Sequence, residues 1–245
     1  MEDADRLEHV SQLIEELQSI GIECSEDQAK AMVRHLELVT EKNKMINLTR
    51  IVALRDAVTL HLVDSLVPLR TKGFGPSEGL RFVDIGTGAG FPGIPLAIMT
   101  GMEGVFIDSV GKKVNAVNEF IDDLGLSNCK AMHIRAEELA IEQSESFDLV
   151  VARAVAQSNV LVEYASPLLK KSGYLILEKA NIETLELQNL NYASRICGLT
   201  RVSRETCELP REMGHREVLI YQKTAKPKIK LPRNNGMAKH HPLIP

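Results

Sequence analysis

The first forty residues carry apolar side chains at the spacing of two amphipathic helices. Within residues 5–20 the apolar positions fall on one stripe, because residues three or four apart share a face of a helix. That stripe consists of Leu7, Val10, Ile14 and Leu17. Ser25-Glu-Asp-Gln28 has the form of a capping box, which predicts that a second helix begins there. The apolar face of this second helix consists of Ala29, Met32, Leu36 and Val39.

A third helix is predicted over residues 53–69, after Asn47-Leu-Thr49 interrupts the apolar spacing. One face of it carries Leu54, Val58, His61, Leu62, Ser65 and Leu66. Residues 71–79 contain three glycines and a proline, a composition typical of a linker. We therefore expect residues 1–70 to form a helical cap that packs on the domain after the linker.

From residue 80 onward, short runs of strand-forming residues alternate with helical patterns. Strands are predicted at 82–85, 104–108, 129–134, 147–152 and 174–178, and helices at 112–124, 160–169 and 182–197. Five β-α units predict a parallel, doubly wound sheet. Two last strands, near 200–208 and 216–222, are joined by a turn at 210–214, so we expect an antiparallel hairpin at the sheet edge. The predicted fold is an α/β domain over residues 80–224 with seven strands.

The composition is that of a globular protein, with 44% hydrophobic and 25% charged residues among 245. No apolar run approaches the length needed to span a bilayer, so we expect no membrane partner. The acidic start of the chain predicts neither a signal peptide nor a transit peptide. The four cysteines lack metal-ligand spacing, which predicts no metal site and a reduced, cytoplasmic setting.

Charge is distributed unevenly along the chain. The formal net charge is −4, whereas residues 221–245 hold five Lys, one Arg and no acid, so the rest of the chain carries about −10. An acidic remainder with a basic tail at 225–245 favours a polyanionic partner that binds to local basic patches and not to the whole surface. A solvated, disordered tail without a role is an equally open interpretation.

The segment 81–95 contains the strongest chemical signal of the sequence. A strand is followed by Gly86, Gly88 and Gly90, and then by Pro92 and Pro95 at the start of a helical pattern. Glycine allows positive φ and lets a ligand approach the backbone closely. A strand, a glycine turn and a helix N-terminus form the first half of a nucleotide-cofactor site. A turn that only packs the helix on the sheet is the structural alternative.

The type of cofactor depends on Asp84, which lies two residues before the first glycine. Gly88-x-Gly90-x-x-Gly93 also satisfies the dinucleotide pattern, but that pattern alone is a weak signal. A carboxylate at this position would face a pyrophosphate with like charge. It could instead hold, directly or through water, the ammonium group of S-adenosylmethionine. We therefore favour S-adenosylmethionine over NAD.

Three further strand ends carry candidate ligands for this cofactor. Asp108 ends the second strand, where an acid accepts hydrogen bonds from ribose hydroxyls, although it could merely cap the next helix. Ala136 and Glu137 follow the third strand, where backbone groups can recognise adenine, but an acid that starts a helix is as plausible. Arg153 ends the fourth strand and could face the cofactor, substrate phosphates or an acid of the cap.

The sequence lacks two motifs of base-modifying enzymes. After the fourth strand there is no Asn-Pro-Pro-aromatic or Asp-Pro-Pro-aromatic run to hold an exocyclic amine, and no cysteine follows a proline to attack a pyrimidine ring. Guanine N7 has a lone pair and no proton to lose, so positioning could provide most of the rate. This reasoning permits N7 of guanine as the target and does not prove it.

Six segments in the same order resemble the bacterial small-subunit ribosomal RNA methyltransferase G family. They are 47–49, 61–66, 84–95, 108–112, 135–137 and 152–155, and the ending 230–239 is similar to the family's Pro-Arg-x-x-Gly-x-x-x-Lys pattern. The resemblance implies a class I S-adenosylmethionine-dependent methyltransferase fold, which is Rossmann-like with a mostly parallel sheet. It also implies methylation of guanine N7 in 16S rRNA, near the decoding site.

Position by position, the resemblance implies three parts of a cofactor site. Gly86 and Phe91 would flank the methionine end, and Arg153 would line the same pocket. Asp108, Ser109 and Val110 would lie at the ribose and adenine, and Ala136 and Glu137 would contact adenine. His61 and Asp64 match the family without an assigned role. The predicted cofactor-binding residues are Asp84, Gly86, Gly88, Gly90, Phe91, Asp108, Ser109, Val110, Ala136, Glu137 and Arg153.

The expected partner is 16S rRNA within a small ribosomal subunit or its precursor. We expect this protein to bind it as a monomer. Contacts of lysine and arginine with phosphate would make binding weaken as salt rises. The candidates for these contacts are Lys112, Lys113, Lys179, Lys228, Lys230 and Arg233. Three rivals remain at this point: an NAD-dependent oxidoreductase, an RNA-binding assembly factor that has lost catalysis, and a methyltransferase for small molecules.

Overall fold

The computed structural model describes residues 3–71, 75, 78–153 and 156–245. Two helices come first, α1 at Asp3–Ser19 and α2 at Glu26–Asn43. The capping box is present, because Ser25 and Gln28 each accept a hydrogen bond from the other's backbone N–H. All four predicted apolar residues of α2 are buried. In α1 the buried stripe is Val10, Leu13 and Leu17, whereas Leu7 is 55% exposed, so its assignment to the stripe was wrong.

The third predicted helix is a continuous helical segment with a change of pitch. It consists of α3 at Leu54–Ala57, a π-helical segment at Val58–Val63, α4 at Asp64–Leu66 and a 3₁₀ turn at Val67–Arg70. The wider π turn carries His61, and it was not visible in the apolar spacing. π segments are often found at functional sites, and this one packs beside the glycine turn. The linker predicted at 71–79 lies largely outside the described residues.

The sheet domain follows the predicted alternation. Its elements are β1 Arg81–Ile85, α5 Gly93–Thr100, β2 Glu103–Asp108, α6 Gly111–Asp123, β3 Cys129–His133, α7 Ala136–Glu142, β4 Phe147–Arg153, α8 Ser158–Leu168, β5 Leu169–Lys179, α9 Thr184–Cys197, β6 Leu199–Glu208 and β7 His215–Lys223, with a 3₁₀ turn at Pro210–Glu212. The strand β5 begins at Leu169, earlier than the predicted Tyr174, and an irregular register with β4 accompanies this extension.

Seven strands form one sheet in the order β3-β2-β1-β4-β5-β7-β6. The first five are parallel, and β7 is antiparallel to both β5 and β6, which confirms the predicted edge hairpin. The antiparallel β7 distinguishes this sheet from the dinucleotide-binding arrangement of six strands in the order 3-2-1-4-5-6. The predicted seven-stranded, mostly parallel α/β fold is therefore confirmed.

Two apolar cores lie on opposite faces of the sheet. The N-terminal helices pack with α5 and α6 on the face that presents Phe82, Phe106 and Ile176. Helices α7, α8 and α9 cover the face that presents Val83, Val150 and Leu177. The helical cap thus shares a core with the sheet, and its third segment reaches the carboxyl ends of the central strands. In the described part of the chain, no helix is long and apolar enough to cross a membrane.

Candidate cofactor site

A cleft of about 700 Å³ opens at the carboxyl ends of β1, β2 and β3. Parallel strands bring their carboxyl ends to one edge, where doubly wound proteins bind their ligands. The volume lies within the range typical of small-molecule sites. The cleft is lined by Ile85, Gly86, Ile107, Asp108, Ser109, Val110, Lys113, Ile134, Arg135, Ala136, Glu137, Arg153, Ala156, Gln157, Val160, Tyr164 and Lys239.

Seven of the eleven predicted cofactor residues line this cleft. They are Gly86, Asp108, Ser109, Val110, Ala136, Glu137 and Arg153. The other four do not form its wall: Asp84 lies in β1, and Gly88, Gly90 and Phe91 lie in the turn that follows. The sequence did not reveal Gln157, Val160 and Tyr164, which come from α8 and its approach, or Lys239, which comes from the tail. No local motif marks the three residues of α8 and its approach, whereas Lys239 lies in the ending 230–239 that resembles the family's pattern; packing of distant segments brings all four to the cleft.

Asp108 ties the cleft wall to the glycine turn. Its Oδ2 accepts the Gly88 N–H at 3.1 Å, and its Oδ1 accepts the Val110 N–H at 2.9 Å. The second contact holds the approach to α6, so the structural role that was considered for Asp108 is also present. A carboxylate has about four lone-pair sites, which leaves acceptor capacity for a ribose hydroxyl. Its position on the cleft wall fits that task.

The glycines of the turn have different tasks. Gly86 lines the cleft with a φ of +75°, a backbone conformation that residues other than glycine rarely adopt. A Cβ at Gly90 would lie 2.7 Å from Ile94 Cδ1, and a Cβ at Gly93 would lie 2.8 Å from Asp84 Oδ2. Gly90 and Gly93 are therefore required for packing of α5 against the sheet. The structural alternative for the turn is correct for these two glycines, whereas Gly86 faces the cleft.

Asp84 is fully buried beneath the turn. Its Oδ2 accepts the Gly93 N–H at 3.0 Å, and its Oδ1 has no hydrogen-bond partner among the described residues. Burial raises the pKa of Asp84 to about 7, against the opposing effects of the nearby Thr87 hydroxyl, the Gly93 hydrogen bond and Arg153. A cation near this carboxyl would favour its ionised form, because an opposite charge stabilises the carboxylate.

Arg153 borders the cleft, but its guanidinium points towards the helical cap. Its Nη1 lies 3.1 Å from Asp64 Oδ2, and Arg216 Nε lies 2.6 Å from Asp64 Oδ1. Asp64 is 6% exposed, so the three side chains form a buried ion-pair cluster. The interpretation of Arg153 as the partner of an acid in the cap is thus borne out, and Asp64 gains a structural role.

Two histidines of the cap pack against Phe91 in the glycine turn. The rings of His35 and His61 each have their centroid 4.6 Å from that of Phe91, and His61 is stacked on it. The Nε2 of His35 lies 2.9 Å from the carbonyl oxygen of Ala89, so Nε2 carries the proton and donates. Burial lowers the pKa of His35 to about 4 and that of His61 to about 3, which makes both rings neutral at physiological pH.

Glu178 extends the polar cluster on the cap side of the sheet. It lies opposite Arg153 in the β4–β5 register and is 4% exposed. Its Oε1 has no hydrogen-bond partner in the described part of the chain. Burial raises the pKa of Glu178 well above its usual range, and the neighbouring Asp64 carboxylate adds to this effect.

The predicted RNA contacts fall into two groups. Lys113 lines the cleft, and Lys228 and Lys230 are exposed. Lys179 is already engaged, because its Nζ lies 2.8 Å from Glu186 and donates to the Ala156 carbonyl. Arg233 forms two hydrogen bonds to the carboxylate of Glu163 and is not retained as an RNA contact. The roles of Lys112, Lys113, Lys228 and Lys230 stay predictions.

The donors and surfaces of the cleft fit S-adenosylmethionine. Apolar side chains such as Val110, Ile134 and Val160 offer surfaces for a purine ring, and the Asp108 carboxylate offers an acceptor for ribose hydroxyls. Two residues before Gly86 is the buried Asp84, whose Oδ1 has no hydrogen-bond partner among the described residues. These groups match the three parts of the cofactor, its adenine, its ribose and its cationic amino-acid end.

Solved structures with this fold include methyltransferases and a [4+2]-cyclase. An S-adenosylmethionine-dependent methyltransferase from Aquifex aeolicus aligns with a TM-score of 0.54 at 19% identity, over 69% of this chain and 93% of that one. The [4+2]-cyclase SpnF aligns with a TM-score of 0.56 at 14% identity, over 81% of this chain and 97% of that one. At such identities the likeness shows the fold alone.

Sequence relatives are much closer and agree with one another. The family model described as rRNA small subunit methyltransferase G matches residues 28–214. A ribosomal RNA small subunit methyltransferase G of Lachnoclostridium phytofermentans is 36% identical, over 96% of this chain and 97% of its own length. One of the same description from Gloeobacter violaceus is 40% identical, over 92% and 90%. This chain therefore belongs to the rRNA small subunit methyltransferase G family.

Proposed function

We propose that this protein transfers the methyl group of S-adenosylmethionine to N7 of a guanine in 16S rRNA. One observation carries the proposal: a chain of this family places an acid, Asp108, and a glycine turn on the wall of a cleft that fits the cofactor. The class of reaction follows from the family, and the site supplies the binding groups that such a reaction needs.

The cofactor would lie along the carboxyl edge with its adenosyl half in the cleft. Asp108 would accept hydrogen bonds from the ribose hydroxyls, while Val110, Ala136 and Glu137 would surround the adenine. The amino-acid end would lie towards Gly86, above the buried Asp84. S-adenosylmethionine supplies an activated methyl group, and the side chains of this protein bind and orient it.

The chemistry at guanine N7 asks little of the protein beyond positioning. N7 presents a lone pair and carries no proton, so no general base has to act. Holding the base and the methyl donor in line can provide a large part of the rate acceleration. The purine becomes cationic in the product, and ionised carboxylates near the carboxyl edge would stabilise that charge.

The substrate would be a small ribosomal subunit or its precursor in the cytoplasm, with the target guanine near the decoding site. A protein of net negative charge binds naked RNA poorly, so we expect it to act on RNA that is already assembled in a ribosomal particle. We also expect it to act as a monomer. Lys112 and Lys113 at the start of α6, beside the cleft, are the residues best placed for phosphate contacts.

Transfer of a labelled methyl group to defined substrates tests this proposal. Purified protein would be incubated with labelled S-adenosylmethionine and, in parallel, with small subunits, large subunits or naked 16S rRNA from cells that lack the enzyme. Label should enter the small subunits, and nuclease mapping should place it at one guanine near the decoding site. Cofactor binding without transfer to any of the three substrates would support a binding protein on a methyltransferase fold.

A further inference from the structure

The basic tail is part of the folded structure. After β7 the backbone N–H groups of Thr224 and Ala225 donate to the Gly198 carbonyl, and that of Lys228 donates to the Ile196 carbonyl. The chain then packs on α8, forms a short helix, α10, at Met237–His240, and continues to Pro245. Ala238 in this helix is 1% exposed. The interpretation of the tail as solvated and disordered is therefore wrong.

A buried ion pair anchors the tail to α8. Arg233 Nε lies 2.7 Å from Glu163 Oε1, and Arg233 Nη2 lies 2.6 Å from Glu163 Oε2. Glu163 is 3% exposed, so its charge depends on this partner. Arg233 also donates to the His241 carbonyl at 2.9 Å, and Asn159 donates to the Leu243 carbonyl at 3.0 Å. The anchor fixes the path of the chain on both sides of α10.

From this anchor the tail reaches the cofactor cleft. The backbone N–H of Gly236 donates to Glu137 Oε1 at 2.9 Å, and the Asn235 side chain donates to Glu138 Oε1 at 2.6 Å. Both acids lie in the first turn of α7, directly after β3. Lys239 contributes to the cleft wall. Residues more than ninety positions apart in the sequence thus form one corner of the cleft.

We propose that the C-terminal segment 231–245 is a structural wall of the cofactor cleft and controls affinity for the adenosine half of the ligand. Gly236 orients the Glu137 carboxylate, which can accept a hydrogen bond from the exocyclic amine of adenine. Lys239 covers the same corner from the tail side. This inference rests on the proposed function, because it assigns that corner to the cofactor's adenine.

The geometry favours the cofactor over RNA as the ligand of this segment. Gly236 and Asn235 contact acids of α7, which would repel a phosphate, and the Arg233 guanidinium is occupied by Glu163. Three exposed lysines of the tail, Lys226, Lys228 and Lys230, lie before the segment and are not part of the cleft wall, whereas the exposed Lys239 lies within the segment and lines the cleft. A role of segment 231–245 in RNA binding alone is therefore the outcome that would contradict the inference.

Calorimetric titration with S-adenosylhomocysteine tests the role of Lys239. The variant Lys239→Ala should bind it about fivefold more weakly than the native protein. The variant Lys226→Ala makes the same charge change in an exposed part of the tail and should bind within about twofold of the native affinity. Equal affinities for native protein and Lys239→Ala would count against a contact of Lys239 with the ligand.

A shortened chain tests the whole segment. Removal of residues 231–245 would leave Glu163 charged and buried, so the shortened chain also carries Glu163→Gln and is compared with the native protein. We expect about tenfold weaker binding of both S-adenosylhomocysteine and 5′-methylthioadenosine, because both contain the adenosine half. Thermal unfolding without ligand checks that the shortened chain is folded.

The outcomes separate this inference from the proposed function. Equal affinity of the shortened chain and the native protein for both ligands, with weaker binding to small subunits, would overturn the inference and leave the function intact. Failure of the native protein to bind S-adenosylhomocysteine would overturn the proposed function and this inference with it. If the shortened chain does not fold, the pair Lys239→Ala and Lys226→Ala decides the matter.

Discussion

At the residue scale, Asp108 links the glycine turn, the start of α6 and the expected ribose position. Replacing it with alanine should weaken cofactor binding about ten- to a hundredfold, because a hydrogen bond to a charged group contributes about 1.5–3 kcal/mol. Titration with S-adenosylhomocysteine measures this change. Native affinity in Asp108→Ala would show that the acid serves only the backbone contacts to Gly88 and Val110.

Asp84 predicts a pH dependence of cofactor binding. Its pKa is about 7 in the free protein, and the ammonium of the ligand would favour the ionised carboxylate and lower that pKa. Binding near pH 6 should therefore release a proton, so affinity should rise as pH increases towards about 7 and then level off. Calorimetry at pH 6 in buffers of different ionisation enthalpy measures the release.

The variant Asp84→Asn is the control for this proton release. It keeps an oxygen that can accept the Gly93 N–H but cannot ionise. Its binding should show no released proton at pH 6 and a flat dependence on pH across the same range. Proton release that persists in Asp84→Asn would assign the effect to another group and would contradict an ammonium site above Asp84.

The sequence predicted those site residues that follow directly from a parallel sheet. Asp108 and Arg153 end β2 and β4, and Ala136 follows β3, so the topology alone brings these positions to one edge. His35 was missed, because a histidine on an amphipathic helix carries no local sign that its partner is the Ala89 carbonyl, 54 residues away. Tyr164 was missed for the same reason, because its place at the cleft depends on tertiary packing.

At the element scale, Asp64 connects the helical cap to two strands. It lies just after the π segment and pairs with Arg153 of β4 and Arg216 of β7. The variant Asp64→Ala would leave two buried guanidinium groups without this partner and should lower the free energy of unfolding by about 3–5 kcal/mol. Urea unfolding at neutral pH measures the difference.

A matched pair on the same helical segment controls for this prediction. Asp56 in α3 pairs with Arg211, but both side chains are partly exposed. Solvent screens such a pair, so Asp56→Ala should lower the free energy of unfolding by less than about 1 kcal/mol. Equal effects of the two substitutions would show that the Asp64 cluster does not hold the cap on the sheet.

Element types were easier to predict from the sequence than their internal geometry. Apolar spacing located the helices of the cap, because one face of each is buried against the sheet. The same spacing could not reveal that Val58–Val63 is a π segment, since an i→i+5 turn changes the pitch without changing which residues are apolar. The early start of β5 was also missed, because Lys170, Lys171 and Ser172 do not resemble a buried strand.

At the scale of the whole molecule, net charge controls the encounter with RNA. The protein carries a net charge of −4, so attraction to a polyanion has to come from local patches. We expect affinity for small subunits to fall as salt concentration increases. The variant Lys113→Ala should reduce the slope of log affinity against log salt concentration by about one, which corresponds to one phosphate contact fewer. Binding measured across a series of salt concentrations gives the slope.

Lys171 provides the matched control for the salt series. It is exposed at the amino-terminal side of β5, away from the cleft that Lys113 lines. The variant Lys171→Ala makes the same charge change and should leave the slope unchanged. A slope that changes equally in both variants would indicate a general charge effect and not a contact near the cleft.

The tail shows where prediction from the sequence ends at this scale. Its charge and its prolines are compatible with a disordered segment, and no periodicity marks it as folded. Its order depends on two acids of distant helices. Glu163 neutralises Arg233, and Glu137 accepts a hydrogen bond from the Gly236 N–H. Only the folded structure brings these groups together.

The identity of the methylated nucleoside tests the central proposal most directly. Small subunits from cells lacking the enzyme would be incubated with S-adenosylmethionine and either native protein or Asp108→Ala, then digested to nucleosides and analysed by mass spectrometry. The account predicts new 7-methylguanosine with the native protein and little or none with Asp108→Ala at limiting cofactor. A different methylated nucleoside, or none with the cofactor bound, would contradict it.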